Sequence, residues 1–391
     1  MSAGIIVLCL AYVLSQFYRA FLAVLSESLS ADIGVNAEAL AFASGLWFIT
    51  FALCQIPVGW ALDRIGPRRT ASVLMGIGAG GGAILFSLAN GPIGINAAMI
   101  LIGIGCSPVL MASYFIFARE HSPARFATLA ALMLGIGSLG NLLASYPMAW
   151  AAETFGWRMS LGILGVLSIV VAAFIGLWLR DPARIEQHDG GSLLSVLRMP
   201  ALWLLMPMML VNYAPTGAIR GLWIGPYFTD VFGLGPEQVG IAGFVMGAAM
   251  ILGSFAYGPL DRIFGTRKWV VFVGSALSAL SLFALAYAAE GAPWISTALF
   301  ASAGFFGACF PMIVAHGRAF FPPHLAGRGV TIMNLFGIGG VGIAQFVSGR
   351  FHGALAPTTD PASLYAMLFA GLGALVVFGL AFYAFSRDNM N

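Results

Sequence analysis

Apolar residues along this chain come in runs of about 20 or more, separated by short polar turns, a pattern of membrane-spanning helices rather than of amphipathic helices or alternating strands. Hydropathy sets twelve spans, at about residues 4–26, 38–62, 70–90, 92–118, 126–151, 157–179, 200–228, 237–260, 269–289, 293–317, 328–350 and 362–385. Each is long enough as an α-helix to cross a hydrocarbon core about 30 Å thick, and the ten-residue alternation of a transmembrane barrel is absent. The expected fold is an all-α membrane protein of twelve transmembrane helices.

Composition agrees with that reading. The chain is 60% hydrophobic and 8% charged, against about 25% charged in soluble domains. The start MSAGIIVLCLAY has no basic n-region and its apolar run continues past signal length, so the first span is expected to be retained. Cys9, Cys54, Cys106 and Cys309 all fall in apolar spans without a CxxC pair, which favours packing over disulfides or a metal site. No nucleophile, base and orienter set is visible and no cluster of metal ligands, so neither an enzyme nor a cofactor is expected. Nor is a nucleic-acid partner; the bilayer is the standing partner.

The net charge of +3 matters less than its placement. If the N-terminus is cytoplasmic, the even-numbered turns and the C-terminal tail carry Arg64, Arg68, Arg69, Arg119, Arg125, Arg180, Arg184, Arg198, Arg262, Arg267, Lys268, Arg318, Arg328 and Arg387, fourteen of the 18 basic residues. The odd-numbered turns hold mostly acids, among them Glu27, Asp32, Glu153, Asp230 and Glu290. The positive-inside rule then puts both termini in the cytoplasm, with the protein in a bacterial inner membrane.

The one hydrophilic stretch of linker length, 181–199, divides the chain into a six-helix bundle at 1–180 and another at 200–391. The halves echo each other. GWALDRIGPRRT (59–70) follows the second span and GPLDRIFGTRKW (258–269) the eighth, with Asp63 and Asp261 198 residues apart. GIGSLG (135–140) and GIGGVG (337–342) lie in the fifth and eleventh spans, where close helix packing is expected.

Gly59, Asp63, Arg64, Gly66, Arg68 and Arg69, with the partial repeat Gly258, Asp261, Arg262, Gly265, Arg267 and Lys268, resemble the loop signature of the major facilitator superfamily of secondary transporters over the whole chain. The resemblance implies two pseudo-symmetric six-helix bundles and alternating access. It also implies a gating role for Gly59, Asp63, Arg64, Arg68, Asp261 and Arg262 through cytoplasmic charge contacts. Two features of the family's drug/proton antiporters are missing: an arginine early in the fourth span, where AMILIGIGCSP stands, and a Gly-Pro pair in the fifth.

Two arginines lie inside spans. Tyr12, Gln16, Arg19 and Ser26 share one helical face of the first span, and Tyr213, Thr216, Arg220 and Tyr227 form a similar stripe in the seventh. In each the tyrosine precedes the arginine by seven residues. In the resembled family these two helices line a central cavity, which would set the arginines across from one another; a guanidinium fork suits a carboxylate or phosphate-like group. The competing explanation is snorkelling to the interface. Pro207, Pro215 and Pro226 predict a kinked seventh helix. Trp47, Thr50, Asn141, Ser145 and Asn334 are further cavity candidates, with interhelical packing as the alternative for each. His316 reads as an interfacial residue, and no acid falls mid-span, which leaves any proton coupling without an obvious carrier. The expected function is a monomeric secondary transporter importing a small organic or inorganic anion, with a proton as possible co-substrate; the alternative is an exporter of a hydrophobic drug-like or metallophore-like compound.

Overall fold

The computed structural model describes residues 3–183, 198–322 and 326–388. Most of the linker expected at 181–199, including Arg184, lies outside the described residues. The described chain is helical throughout, with ten helices long and apolar enough to cross a membrane, or twelve when two bent pairs each count as one span.

In chain order these are α1 (Ala3–Phe17 with Leu22–Ile33), α2 (Ala37–Arg64), α3 (Pro67–Ser87), α4 (Pro92–Glu120), α5 (Thr128–Leu143 with Tyr146–Phe155), α6 (Trp157–Trp178), α7 (Leu202–Phe232), α8 (Pro236–Phe264), α9 (Lys268–Tyr287), α10 (Pro293–Arg318), α11 (Arg328–Leu355) and α12 (Pro361–Tyr383). Helix starts follow local chemistry. Proline opens α3, α4, α8, α10 and α12, where a missing N–H costs nothing. Asn36 and Asp360 cap α2 and α12 by accepting from the backbone N–H groups of Ala39 and Ser363, each at 2.9 Å. Gly34 and Gly233 close α1 and α7 in the left-handed conformation, at φ 66° and 64°, where a Cβ would be strained.

The chain divides into two compact units, residues 1–186 with 235–241 and residues 187–234 with 242–391. In the first, α1 packs on α5 and α6, α2 on α4, and α3 on α4 and α6. In the second, α9 packs on α10 and α12, and α7 on α11 and α12. The echoed glycine clusters mark the tightest approaches. A Cβ on Gly140 would run into the Val13 carbonyl of α1, and one on Gly340 into the Leu210 carbonyl of α7, so small residues let backbone meet backbone.

Several spans run longer than their apolar cores. The first extends to Ile33, so Glu27 and Asp32 lie in helix rather than in a turn. The fifth extends to Phe155 and the seventh to Phe232, so Glu153 and Asp230 lie in helix rather than in turns.

Candidate substrate site and charged turns

Helix α1 breaks at its arginine. Arg19 and Ala20 donate to carbonyls only three residues back, those of Gln16 and Phe17, and the axis turns by 53° between the two halves. The turn tucks Arg19 inward to 9% exposure. Its guanidinium carbon stands 5.5 Å from the Trp47 ring centre and 4.9 Å from that of Phe51, which stack on each other at 5.1 Å. Aromatic faces partly offset the loss of water around the charge. Among the described residues Arg19 Nε and Trp47 Nε1 are buried without a hydrogen-bond partner.

Around this break Gln16 Nε2 donates to the Tyr12 hydroxyl at 3.2 Å, while Gln16 Oε1 has no partner. Asn141 Oδ1 is also unpaired, one turn before the 41° bend of α5. Ser145, at that bend, donates back to the Asn141 carbonyl at 3.1 Å.

Helix α7 is interrupted as its prolines predict. It bends at Tyr213, resumes at Ala214–Ala218, and passes through a π-helical turn at Ile219–Trp223 before Ile224–Phe232. Arg220 sits in the π turn at 4% exposure. Its Nη2 donates to the Tyr213 hydroxyl at 2.7 Å, and its Nε has no partner among the described residues. Gln345 of α11 donates to the Ala218 carbonyl at 3.2 Å, serving a backbone group beside the irregular turn, and leaves its own Oε1 unpaired. Neither Arg19 nor Arg220 has an aspartate or glutamate within ion-pairing distance among the described residues. A buried charge without a counter-ion is costly.

The stripes themselves need revision. Ser26 lies beyond the break in α1 and donates to the Ala23 carbonyl, so it does not share one straight helical face with Arg19. Thr216 turns back to the Tyr213 carbonyl, and a Cβ on Gly307 of α10 would meet its methyl group. Tyr227 binds the Ala289 carbonyl and Ser296 inside the second unit. Asn334 is half-buried on the unbroken α11. His316, in the last turn of α10, is 0% exposed, with Nδ1 at 2.7 Å from the Tyr383 hydroxyl and Nε2 at 2.9 Å from the Arg387 carbonyl, so both ring nitrogens are satisfied within the protein beside the second charged turn.

The charged turns are held by their own aspartates and by two acids that the signature does not contain. Asp63 pairs with Arg119 of α4 at 3.4 Å, and Arg119 lies 3.9 Å over the Phe115 ring. Asp261 pairs with Arg267, in its own turn, at 3.1 Å. Arg68 donates its backbone N–H to Asp181 at 2.8 Å and its Nε to the Gly176 carbonyl at 2.7 Å, which ties the turn to the end of α6. Asp388, past the end of α12, does the same for the other turn. It accepts from the backbone of Arg267 at 3.3 Å and of Lys268 at 3.1 Å, and from the Thr266 hydroxyl. Burial pushes the Asp388 carboxyl up, but those donated bonds prevail and hold it below the usual carboxylate range. Arg64 and Arg262 are exposed, and Gly59 has only the Met111 methyl near a would-be Cβ. Arg-Asp at 180–181 and again at 387–388 was the sequence signal for this second pair of acids.

A family model described as Major Facilitator Superfamily matches residues 8–344. The chain belongs to that superfamily. Among curated relatives, it is 25% identical to a sialic acid transporter of Escherichia coli (strain K12) over 88% of this chain and 86% of the relative. A probable galactarate/D-glucarate transporter of Bacillus subtilis (strain 168) is 23% identical over 44% of this chain and 38% of its own length. A 4-hydroxybenzoate transporter of Pseudomonas putida is 29% identical over 38% of this chain and 33% of its own. The last two matches thus span well under half of those relatives. Among solved structures, a D-xylose-proton symporter aligns with a TM-score of 0.79 at 15% identity, over 98% of each chain. A bacterial homologue of the human lysosomal transporter Spinster aligns at 0.77 and 18%, over 97% of this chain and 95% of that one. Major facilitator membership makes the protein an integral membrane transporter and not an enzyme.

Proposed function

We propose that the protein imports a small organic acid, with Arg19 and Arg220 both binding its anionic groups. The observation that carries this reading is the pair of deeply buried guanidiniums, each at an irregular point of its helix and each without a carboxylate partner among the described residues. Each unit has unpaired atoms of both kinds: in the first, Arg19 Nε and Trp47 Nε1 donate while Gln16 Oε1 and Asn141 Oδ1 accept, and in the second, Arg220 Nε donates while Gln345 Oε1 accepts. A ligand with carboxylate and hydroxyl groups satisfies both kinds, which favours hydroxylated carboxylic acids over simple inorganic anions. The curated relatives named for galactarate/D-glucarate, 4-hydroxybenzoate and sialic acid support the same class.

The reading places the protein in a bacterial inner membrane with both termini cytoplasmic, working as a monomer by alternating access with inward movement coupled to protons. Asp63, Arg64, Arg68, Asp261 and Arg262, with Gly59, belong on this view to gating rather than to binding. A hydrophobic export substrate would leave two guanidiniums without a purpose.

Thermal-shift titration of purified protein with galactarate, gallate, 4-hydroxybenzoate and sialic acid tests the proposal, since a ligand that binds the folded state stabilises it. At least one acid should stabilise, its neutral amide should not, and Arg19→Ala or Arg220→Ala should each weaken binding about tenfold or more. Lysine should restore it only in part, having the charge without the fork. Normal acid binding by a folded double alanine variant would refute the assignment.

A further inference from the structure

The second unit contains a hydrogen-bonded chain of titratable groups that anion binding does not use. Asp230 lies exposed near the end of α7. Its Oδ2 accepts from the Tyr365 hydroxyl at 2.6 Å, and the same hydroxyl oxygen stands 3.3 Å from His352 Nε2. Tyr365 is fully buried and His352 is 9% exposed. The three side chains come from α7, α12 and α11, so the chain runs from an exposed carboxylate into the unit through one phenol. Its other end reaches the arginine's helix. The His352 ring packs on the Trp223 ring at 5.1 Å, and Trp223 shares the π turn Ile219–Trp223 with Arg220. Trp223 is itself fixed by its Nε1–H bond to Ser348 at 2.8 Å.

We propose that Asp230, Tyr365 and His352 form a proton-binding site, located at the end of the second unit away from the Asp261 turn, whose charge state is read by the π turn that carries Arg220. A proton arrives on the Asp230 carboxylate from solvent. The new O–H passes its proton to the Tyr365 oxygen as the phenol's own proton moves to His352 Nε2, which leaves Asp230 as carboxylate, Tyr365 neutral and His352 as imidazolium. One proton is bound and no electron moves. The single Tyr365 O–H then donates to Asp230 and its oxygen accepts from His352, matching the shorter and longer contacts. Further titratable or charged groups beside the chain are Tyr227, whose ring lies 5.4 Å from that of Tyr365, and Arg220, which shares the π turn with Trp223; Arg350 and Asp360 lie near His352 in sequence, on α11 and at the start of α12. Histidine is the side chain whose unperturbed protonation falls nearest neutral pH, and π turns recur at functional sites. As the coupling step, this site rests on the organic-acid import reading; as a proton site it does not.

Tryptophan fluorescence of the full-length purified protein, titrated between about pH 8 and pH 4 with no anion present, tests it, because an imidazolium packed against an indole quenches that indole and histidine titrates inside that range. The nine tryptophans are separated by subtracting the Trp223→Phe variant. The Trp223 component should quench on acidification in the wild type, and the transition should vanish in His352→Gln. In Asp230→Asn, an isosteric change at an exposed position, its midpoint should fall by about one pH unit, as expected on losing a nearby opposite charge. Tyr365→Phe should also displace the midpoint. A transition that survives His352→Gln, or a midpoint unmoved by Asp230→Asn, would overturn the proposal. With no anion present, this titration fails or succeeds independently of the arginine variants.

Discussion

Arg220 donates to the hydroxyl of Tyr213 across the bend between Asn212 and Ala214, at 2.7 Å. The equally spaced pair in α1 differs, since the Tyr12 hydroxyl there receives Gln16. The phenol thus orients the guanidinium directly in the second unit, while in the first the Trp47 and Phe51 rings flank it. Tyr213→Phe should leave the protein folded and weaken acid binding about tenfold, the worth of a hydrogen bond to a charged group. Tyr12→Phe should cost less. Binding titrations of both variants against the same acid decide it; equal losses would mean that the bond to Arg220 is not what matters.

The Asp63–Arg119 pair predicts a kinetic effect without a binding effect. Asp63→Asn should slow transport in proteoliposomes and keep affinity within about threefold, because a group that biases conformations need not touch substrate. Arg119→Gln should reproduce the slowing. Unchanged flux with weakened binding would remove Asp63 from gating.

Backbone contact at the echoed glycines makes Gly140→Ala and Gly340→Ala destabilising by about 1–3 kcal/mol each, the usual range for overpacking. Gly371 on α12 has nothing within 4 Å of a would-be Cβ, and Gly371→Ala should be neutral. Apparent melting temperatures of the three variants provide the comparison.

Asp388 gives a pH dependence with a defined sign. Its folded pKa is depressed, so its contribution is fully present above the unfolded value of about 3.9 and is lost as pH falls through the lower folded value. The melting-temperature gap between wild type and Asp388→Asn should therefore stay constant from neutral pH to about 4.5 and close below about 4. A gap that already closes near pH 6 would point to another group.

The twelve spans were legible because a run of about 20 apolar residues has few alternatives. The repeated DRIG and DRIF turns read as a six-plus-six division, while the two compact units part at 186–187 and the first also takes in 235–241, which no sequence pattern marks. The break at Arg19 was not legible: QFYRAF contains neither glycine nor proline, and the turn there is fixed by packing. The α5 bend had a signal in Pro147, two residues past Ser145. Arg19 and Arg220 stood out because charge inside a span is rare, whereas Gln345 and Phe51 did not, since an amide or a phenyl in such a span has many ordinary uses. The Asp230–Tyr365–His352 chain joins residues up to 135 positions apart, a relation no local pattern encodes.

The π turn at Ile219–Trp223 holds one residue more than an α-turn would, and each residue advances a regular helix by about 100°. Everything from its end onward, Trp223 at its last position and Tyr227 beyond, is rotated by that step relative to Tyr213 and Asn212 before it. Helix α7 is therefore two registers joined end to end: one aims the tyrosine that grips Arg220, and the other aims the aromatic rings packed on His352 and Tyr365. Deleting a single residue within the turn would restore a uniform helix and force one of the two sets off its neighbours, whatever the identity of the residue removed.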